Sequence, residues 1–250
     1  MDRLQDKVVL ITGAGSGIGR AAAIACAQEG AEVVVSDVDE TGGAGTVGLI
    51  NASGGRADFV PADVSEAPEV ERLIDECIRL HGRLDCAHNN AGVTGPAYLT
   101  GHYPQEEWEK VLRINLTGVF LCMRFELERM ETQGSGVIVN TSSGAGLRGL
   151  PYQCAYSATK HAIIGLSRTA AVEYAKKGIR VNVLCPGFVD TGLTRQVIAK
   201  KAHLEERYKS LVPMGRFGTD EEVAEAVVWL FSGPAFVTGH TLVIDGGASA

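Results

Sequence analysis

The chain has 250 residues, enough for one large core, and 45% apolar with 21% charged residues exclude a disordered chain. A formal net charge of −7, with no lysine- or arginine-rich block, argues against a nucleic-acid partner. No apolar run approaches the ~18 residues of a membrane helix, and Met1–Lys7 lacks the features of a signal peptide, so a cytoplasmic protein without a membrane partner is expected.

Short β-branched runs alternate along the chain with segments of helical periodicity. The first run, Val8–Thr12, leads into "TGAGSGIG", where Gly13, Gly17 and Gly19 stand at the mouth of a helix predicted over Ile18–Glu29. The pattern alone is weak. Its place after a first strand and at the free N–H groups of a helix is what points to a pyrophosphate, with Ser16 and Ile18 in the same turn. Cys26 opens a set of six scattered cysteines (with Cys77, Cys86, Cys122, Cys154 and Cys185) that holds no Cys-x-x-Cys pair. Buried free thiols are expected, and no metal site.

The second strand, Glu32–Asp37, ends in an acidic residue 18 positions after Gly19, where a carboxylate accepts hydrogen bonds from an adenosine ribose. Asp37 also repels a 2′-phosphate, and no basic residue sits at Ser16 or Val38; NAD rather than NADP is therefore expected. The glycine-rich stretch 41–55 reads as a poorly formed helix and loop. A strand over 57–61 precedes Asp63 and Val64, a helix spans 66–80, and a strand over 84–89 delivers Asn89, Asn90, Ala91 and Gly92. These motifs fall at strand carboxyl ends, the edge on which open α/β sheets bind ligands.

One long helix is expected over 104–130. It carries Asn115 in an apolar stretch, either satisfying a local kink or holding a water. The strand Gly136–Thr141 is followed by Ser143 and Gly144, and a helix over 156–177 places Tyr156 and Lys160 one turn apart on one face. Tyr-x-x-x-Lys arises by chance roughly 0.2 times in this composition; a serine 13 residues before the tyrosine lowers that to roughly one in a hundred. A strand over 180–185 ends at Pro186 and Gly187, with Val189 and Thr191 beyond. About 55 residues then pass without a clear strand, and residues 188–214 are expected to form a substrate lid. A helix over 220–231 and a strand over 241–245 complete the chain. The expected fold is α/β: one domain over 1–250, a doubly wound parallel sheet of about seven strands with helices on both faces.

Together, Thr12-Gly13-x-x-x-Gly17-x-Gly19, Asn89-Asn90-Ala91-Gly92, Asn115, Ser143, Tyr156-x-x-x-Lys160, Pro186-Gly187 and the "VTGHTLVIDGG" tail resemble the short-chain dehydrogenase/reductase family over essentially the whole chain. The resemblance implies an oxidoreductase interconverting a small secondary alcohol and a ketone with a nicotinamide cofactor. It implies that Tyr156 exchanges a proton with the substrate oxygen and Ser143 hydrogen-bonds that oxygen. Lys160 also holds the nicotinamide ribose, and Asn115 supports a proton-relaying water. The cofactor set is Gly13, Ser16, Gly17, Ile18, Gly19, Asp37, Asp63, Val64, Asn90, Ala91, Gly92, Tyr156, Lys160, Pro186, Gly187, Val189 and Thr191.

Electrostatics offers a reason for the Tyr156–Lys160 pair. A phenol is scarcely ionised at pH 7, and a unit charge ~4 Å away is worth ~4 kcal/mol at an effective dielectric near 20, so the ammonium is expected to lower the phenol's pKa. Thr94, Gly95, Leu147, Arg148, Gln153, Phe188 and the lid to Met214 are candidate pocket residues. The resemblance implies a homotetramer, since members of that family pair these helices between subunits, and the 104–130 and 156–177 helices carry apolar residues on more than one face. The alternatives are a dinucleotide-binding regulatory or scaffold protein on the same fold and a nucleoside-binding methyltransferase, which has no need of Ser143, Tyr156 and Lys160.

Overall fold

A computed structural model describes residues 2–192 and 203–250. Seven strands form one parallel sheet in the order β3-β2-β1-β4-β5-β6-β7. They are β1 (Val8–Thr12), β2 (Glu32–Ser36), β3 (Arg56–Phe59), β4 (Cys86–Asn89), β5 (Gly136–Thr141), β6 (Ile179–Pro186) and β7 (Thr241–Ile244). The helices are α1 (Gly17–Gln28), α2 (Glu40–Ala52), α3 (Ala67–His81), α4 (Gln105–Leu112), α5 (Gly118–Gln133), α6 (Cys154–Tyr174), α7 (His203–Ser210) and α8 (Asp220–Ser232).

The period-2 alternation of the central strands sorts the core into two layers. Val9, Ile11, Val33 and Val35 face α1 and α8, meeting Ala22, Cys26, Val223 and Val227. Val8, Leu10 and Val34 face the other way, onto Leu73 and Ile74 of α3, Met123 and Leu127 of α5 and Ile163 of α6. Because both faces are covered, the strands read as unbroken apolar runs. The order reverses between β1 and β4, so a crevice opens beyond their carboxyl ends.

The structure differs from the sequence expectation in four places. The stretch read as a poor helix is continuous over Glu40–Ala52. Its buried face carries Gly43, Thr46 and Ile50; Gly43 lies against the Phe59 ring, and Thr46 Oγ1 donates to Ala14 O at 2.8 Å. Gly45 and Gly48, by contrast, are exposed with nothing within 4 Å of an added Cβ. Gly45→Ala and Gly48→Ala are therefore each expected to stabilise the protein by about 0.5–1 kcal/mol. Gly43→Ala is expected to destabilise it by forcing Phe59 aside. Urea unfolding of the three variants reads both signs.

The single helix expected over 104–130 is divided. α4 stops at Leu112, a π-helical turn spans Arg113–Thr117, and α5 runs to Gln133, closed by Gly134 at φ 74°. α6 starts two residues before Tyr156 and ends at Tyr174, where a 3₁₀ turn, Ala175–Lys177, replaces its last turn. The apolar faces expected to pair between subunits are also largely covered within the chain. Val119, Leu121, Met123, Ile163 and Ile164 are buried, whereas Phe120 is 47% exposed. α5 packs on α3 and α6 as well as on the sheet, so more than one of its faces meets its own chain.

Within the segment expected to form a lid, residues 193–202 lie outside the described residues. Around them, Val189 bridges Gly218, and Phe188 stacks on Tyr208 of α7 with ring centroids 5.1 Å apart. The cysteines are all free; Cys154 is half-buried and the other five are buried. Among the described residues no helix is long and apolar enough to cross a membrane, and no group of three His, Cys, Asp or Glu is arranged to hold a metal.

Candidate active site

The glycine turn sits at the crevice between β1 and β4. Gly13 adopts φ +63°, and a Cβ there would lie 2.8 Å from Ala91 Cα. A Cβ on Gly19 would meet Gly13 O and Asn90 Nδ2. Thr12 Oγ1 accepts the N–H groups of Asn90 (3.1 Å) and Ala91 (3.3 Å), and Asn90 Nδ2 donates to Thr12 O (3.2 Å) and Gly13 O (3.3 Å). The glycine turn and the Asn90–Gly92 turn are thus one hydrogen-bonded unit. Ser16 is exposed and caps α1 with no side-chain bond, so the helix's first N–H groups face the crevice uncapped by it. Thr191 closes the other side: a Cβ on Gly17 would lie 3.7 Å from Thr191 Cβ. A main-chain cradle with an uncapped helix N-terminus fits the pyrophosphate of a dinucleotide.

Asp37 follows β2 with Oδ2 accepting Gly15 N–H (2.7 Å) and Oδ1 accepting Asp39 N–H (2.9 Å), which aims the carboxylate alongside the glycine turn. Arg20, the cation near this turn, directs its guanidinium at Gly15 O, Gly42 O and Thr46 Oγ1. Asp63 Oδ1 accepts Ser65 N–H (2.9 Å). The Val64 side chain packs with Val70, Leu121 and Cys122. Pro186 ends β6, Gly187 N–H donates to Ile244 O (2.9 Å), and the Val189 side chain is buried in the core.

Ser143, Tyr156 and Lys160 come from β5 and α6 to the same edge. The Ser143 hydroxyl lies near enough to the Tyr156 phenol to favour its ionised form. Lys160 is 4% exposed; its Nζ donates to Thr141 O (2.8 Å) and stands 5.5 Å from the Tyr156 ring centroid. The ammonium is aimed at a carbonyl of the neighbouring strand and at the ring, not at the hydroxyl. The phenol is accordingly pushed above its ordinary value by burial, opposed in part by the Ser143 hydroxyl, where the sequence suggested a lowering by Lys160. Burial in turn lowers Lys160 to about 8.

Asn115 occupies the π-helical turn and is fully buried. Its Oδ1 accepts Val93 N–H and its Nδ2 donates to Val93 O, both at 2.8 Å, so it clamps the chain just after the Asn90–Gly92 turn. An added Cβ on Gly92 would lie 3.1 Å from Asn115 Oδ1 and 3.7 Å from Lys160 Nζ, which brings all three around one small space. The clamp at a local irregularity is therefore displayed in its bonds.

Among the pocket candidates, Leu147 and Arg148 line a cavity of about 350 Å³ with Val243 and Ala248, Ser249 and Ala250. Arg148 Nη1 donates to Ala248 O at 2.6 Å. Gln153 caps α6 beside Tyr152, which holds φ 67° and accepts Tyr98 N–H on its carbonyl (3.0 Å). That left-handed residue joins the loop after β4 to the start of α6. Sequence reasoning missed it, along with Thr141 O as the anchor of Lys160.

A family model described as "Enoyl-(Acyl carrier protein) reductase" matches residues 13–249. The chain belongs to the short-chain dehydrogenase/reductase family. Members of this family bind a nicotinamide dinucleotide, and this chain is an oxidoreductase by its kinship. Among its relatives, a 2,5-dichloro-2,5-cyclohexadiene-1,4-diol dehydrogenase of Sphingobium indicum is 40% identical, with 100% of each chain covered. A cyclohexanol dehydrogenase of an Acinetobacter species is 41% identical over 98% of this chain and 96% of its own. The crystal structure of an actinorhodin polyketide ketoreductase variant with NADPH superposes with a TM-score of 0.93 at 35% identity, covering 97% of each chain.

Proposed function

We propose that the protein interconverts a secondary alcohol on a six-membered carbon ring and the corresponding ketone, with NAD(H) as cofactor and Tyr156 as general acid/base. The observation that carries this reading is the convergence of Ser143, Tyr156 and Lys160 beside the Asn90–Gly92 turn, on the edge that holds the glycine cradle. Two relatives named for cyclohexanol and for a cyclohexadiene diol support the ring.

Gly13, Ser16, Gly17, Ile18 and Gly19 would hold the pyrophosphate, Asp37 the adenosine ribose, and Asp63 with the Val64 main chain the adenine end. Asn90, Ala91, Gly92, Lys160, Pro186, Gly187, Val189 and Thr191 would surround the nicotinamide end. When bound, the nicotinamide supplies the two-electron partner that accepts or returns a hydride at the substrate carbon. Alcohol plus NAD⁺ then gives ketone, NADH and one proton. Tyr156 Oη takes the alcohol's hydroxyl proton in oxidation and returns it in reduction. The Ser143 hydroxyl donates to the substrate oxygen and shares the charge that develops there. Lys160, a cation at neutral pH behind the ring, favours transient phenolate, and Asn115 holds the Val93 segment that walls this space.

NADH fluorescence on mixing, followed by turnover on a panel of cyclic and linear secondary alcohols with NAD⁺, tests the proposal. Enhancement with ring-alcohol turnover is expected. Enhancement without turnover on any alcohol would favour a dinucleotide-binding regulator instead. We further propose a homotetramer, supported by the exposed Phe120, Val172, Trp229 and Phe236. Light scattering at micromolar concentration should give four times the chain mass; a stable monomer contradicts it.

A further inference from the structure

Between the sheet and α5 lies a polar cluster that alcohol–ketone chemistry does not use. Asn89 ends β4, immediately before the Asn90–Gly92 turn, and pairs in register with Asn140 on β5. Glu126 reaches them from α5 and Ser167 from α6, and all four are 0–2% exposed. Asn89 Nδ2 donates to Glu126 Oε2 and to Asn140 Oδ1, both at 2.9 Å. Asn140 Nδ2 donates to Ser167 Oγ (2.8 Å) and Met123 Sδ (3.0 Å), and the Ser167 hydroxyl donates to Ile163 O (2.6 Å).

These bonds use every side-chain donor hydrogen in the cluster, yet Glu126 Oε1 and Asn89 Oδ1 remain buried without a partner. Turning the Asn89 amide over makes matters worse, because its carbonyl would then face two acceptor oxygens. The titratable groups that feel the carboxyl's charge are two thiols, Cys77 on α3 and Cys122 one turn earlier on α5, and neither supplies a counter-charge. One hydrogen is left to assign, and it belongs to the carboxyl itself.

We propose that Glu126 is held as a neutral carboxylic acid whose Oε1–H closes a second hydrogen bond onto Asn89 Oδ1, and that this acid–amide pair is a positioning device for the Asn90–Gly92 turn. Burial is the driving cause and holds the carboxyl at about 8 against an ordinary 4.5. The folded state therefore keeps a proton that the unfolded chain releases. The resulting stability is complete below about 4.5, declines as pH rises, and is gone above about 8.

Glu126→Gln keeps the shape and both bonds but has no proton to lose. Its Tm is expected to match wild type near pH 5 and to exceed it by at least about 4 °C at pH 8.5. The infrared difference between wild type and this variant near pH 6 should contain the carbonyl band of a protonated carboxyl. Parallel Tm–pH curves, or absence of the band, would overturn the neutral acid.

The positioning arm rests on the dinucleotide reading. Glu126→Leu, which removes both bonds, should weaken NADH binding at least about tenfold, whereas Glu126→Gln stays within about threefold of wild type at pH 6. Wild-type affinity in the Leu variant would overturn positioning. If that variant does not fold, NADH affinity at pH 8.5 decides: wild type should bind more weakly than Glu126→Gln, and equality would overturn it. Failure of wild type to bind NADH at all would strike the dinucleotide reading, while the Tm and infrared arms would still decide the acid.

Discussion

Tyr156→Phe is expected to lower kcat at least about a thousandfold while leaving the Kd for NADH within about threefold. The ring and its packing against Lys160 survive the substitution, so the cofactor side of the site is preserved. What disappears is the one phenolic proton placed beside Ser143 at the shared edge. A positioned acid or base contributes typically 10²–10⁴-fold, and the loss extends to whatever the phenol and Ser143 share at the substrate oxygen. An unchanged Tm would show that the fall is chemical. Retention of more than a tenth of wild-type kcat would mean that another group moves the proton.

The second large effect concerns the choice of cofactor. NAD⁺ is expected to outperform NADP⁺ by more than about a hundredfold in kcat/KM, on any alcohol the protein accepts. Charge-assisted bonds from ribose hydroxyls to a carboxylate are worth about 1.5–3 kcal/mol each before costs, and Asp37 is held in place for them by Gly15 and Asp39. A 2′-phosphate would lose those bonds and bring up to two negative charges against the same carboxylate. Val38 is 67% exposed and offers no cation, while Arg20 has its guanidinium turned onto main-chain carbonyls. Asp37→Ala should narrow the gap mainly by weakening NAD⁺, and adding Val38→Arg should favour NADP⁺. Steady-state kinetics with both cofactors decides; equal efficiency in the wild type would sink the role given to Asp37.

How far the sequence was legible depended on whether the cause lay nearby in the chain. β1 and β5 could be bounded from their apolar runs because both faces of each are buried. The motif residues could be placed on one edge because every parallel strand presents its carboxyl end there. α2 was obscured because counting glycines registers lost propensity but not the closeness to Phe59 that a glycine permits. A local kink at Asn115 was one reading of the sequence, but its form as a π-helical turn dividing α4 from α5 was not legible, because helical periodicity continues on both sides of it. Helical spacing brings Lys160 to Tyr156, but the direction of its Nζ is set by Thr141 O on another element. Glu126 did leave a trace: helical spacing puts it on the stripe of Val119, Cys122, Met123 and Met130, a carboxyl in an otherwise apolar row.

The two exposed glycines of α2 also bear on how tightly the site can grip. At about 0.5–1 kcal/mol each relative to alanine, they make α2 easier to unwind than the same helix with alanines there. Thr46 and Gly42 of α2 are bonded to Ala14 and Arg20 of the glycine-turn region, so a melted α2 releases part of the cradle. Affinity is then the intrinsic value scaled by the fraction of molecules in which α2 is wound. Gly45→Ala with Gly48→Ala is accordingly expected to tighten NADH binding along with raising Tm, which a titration of the double variant reads.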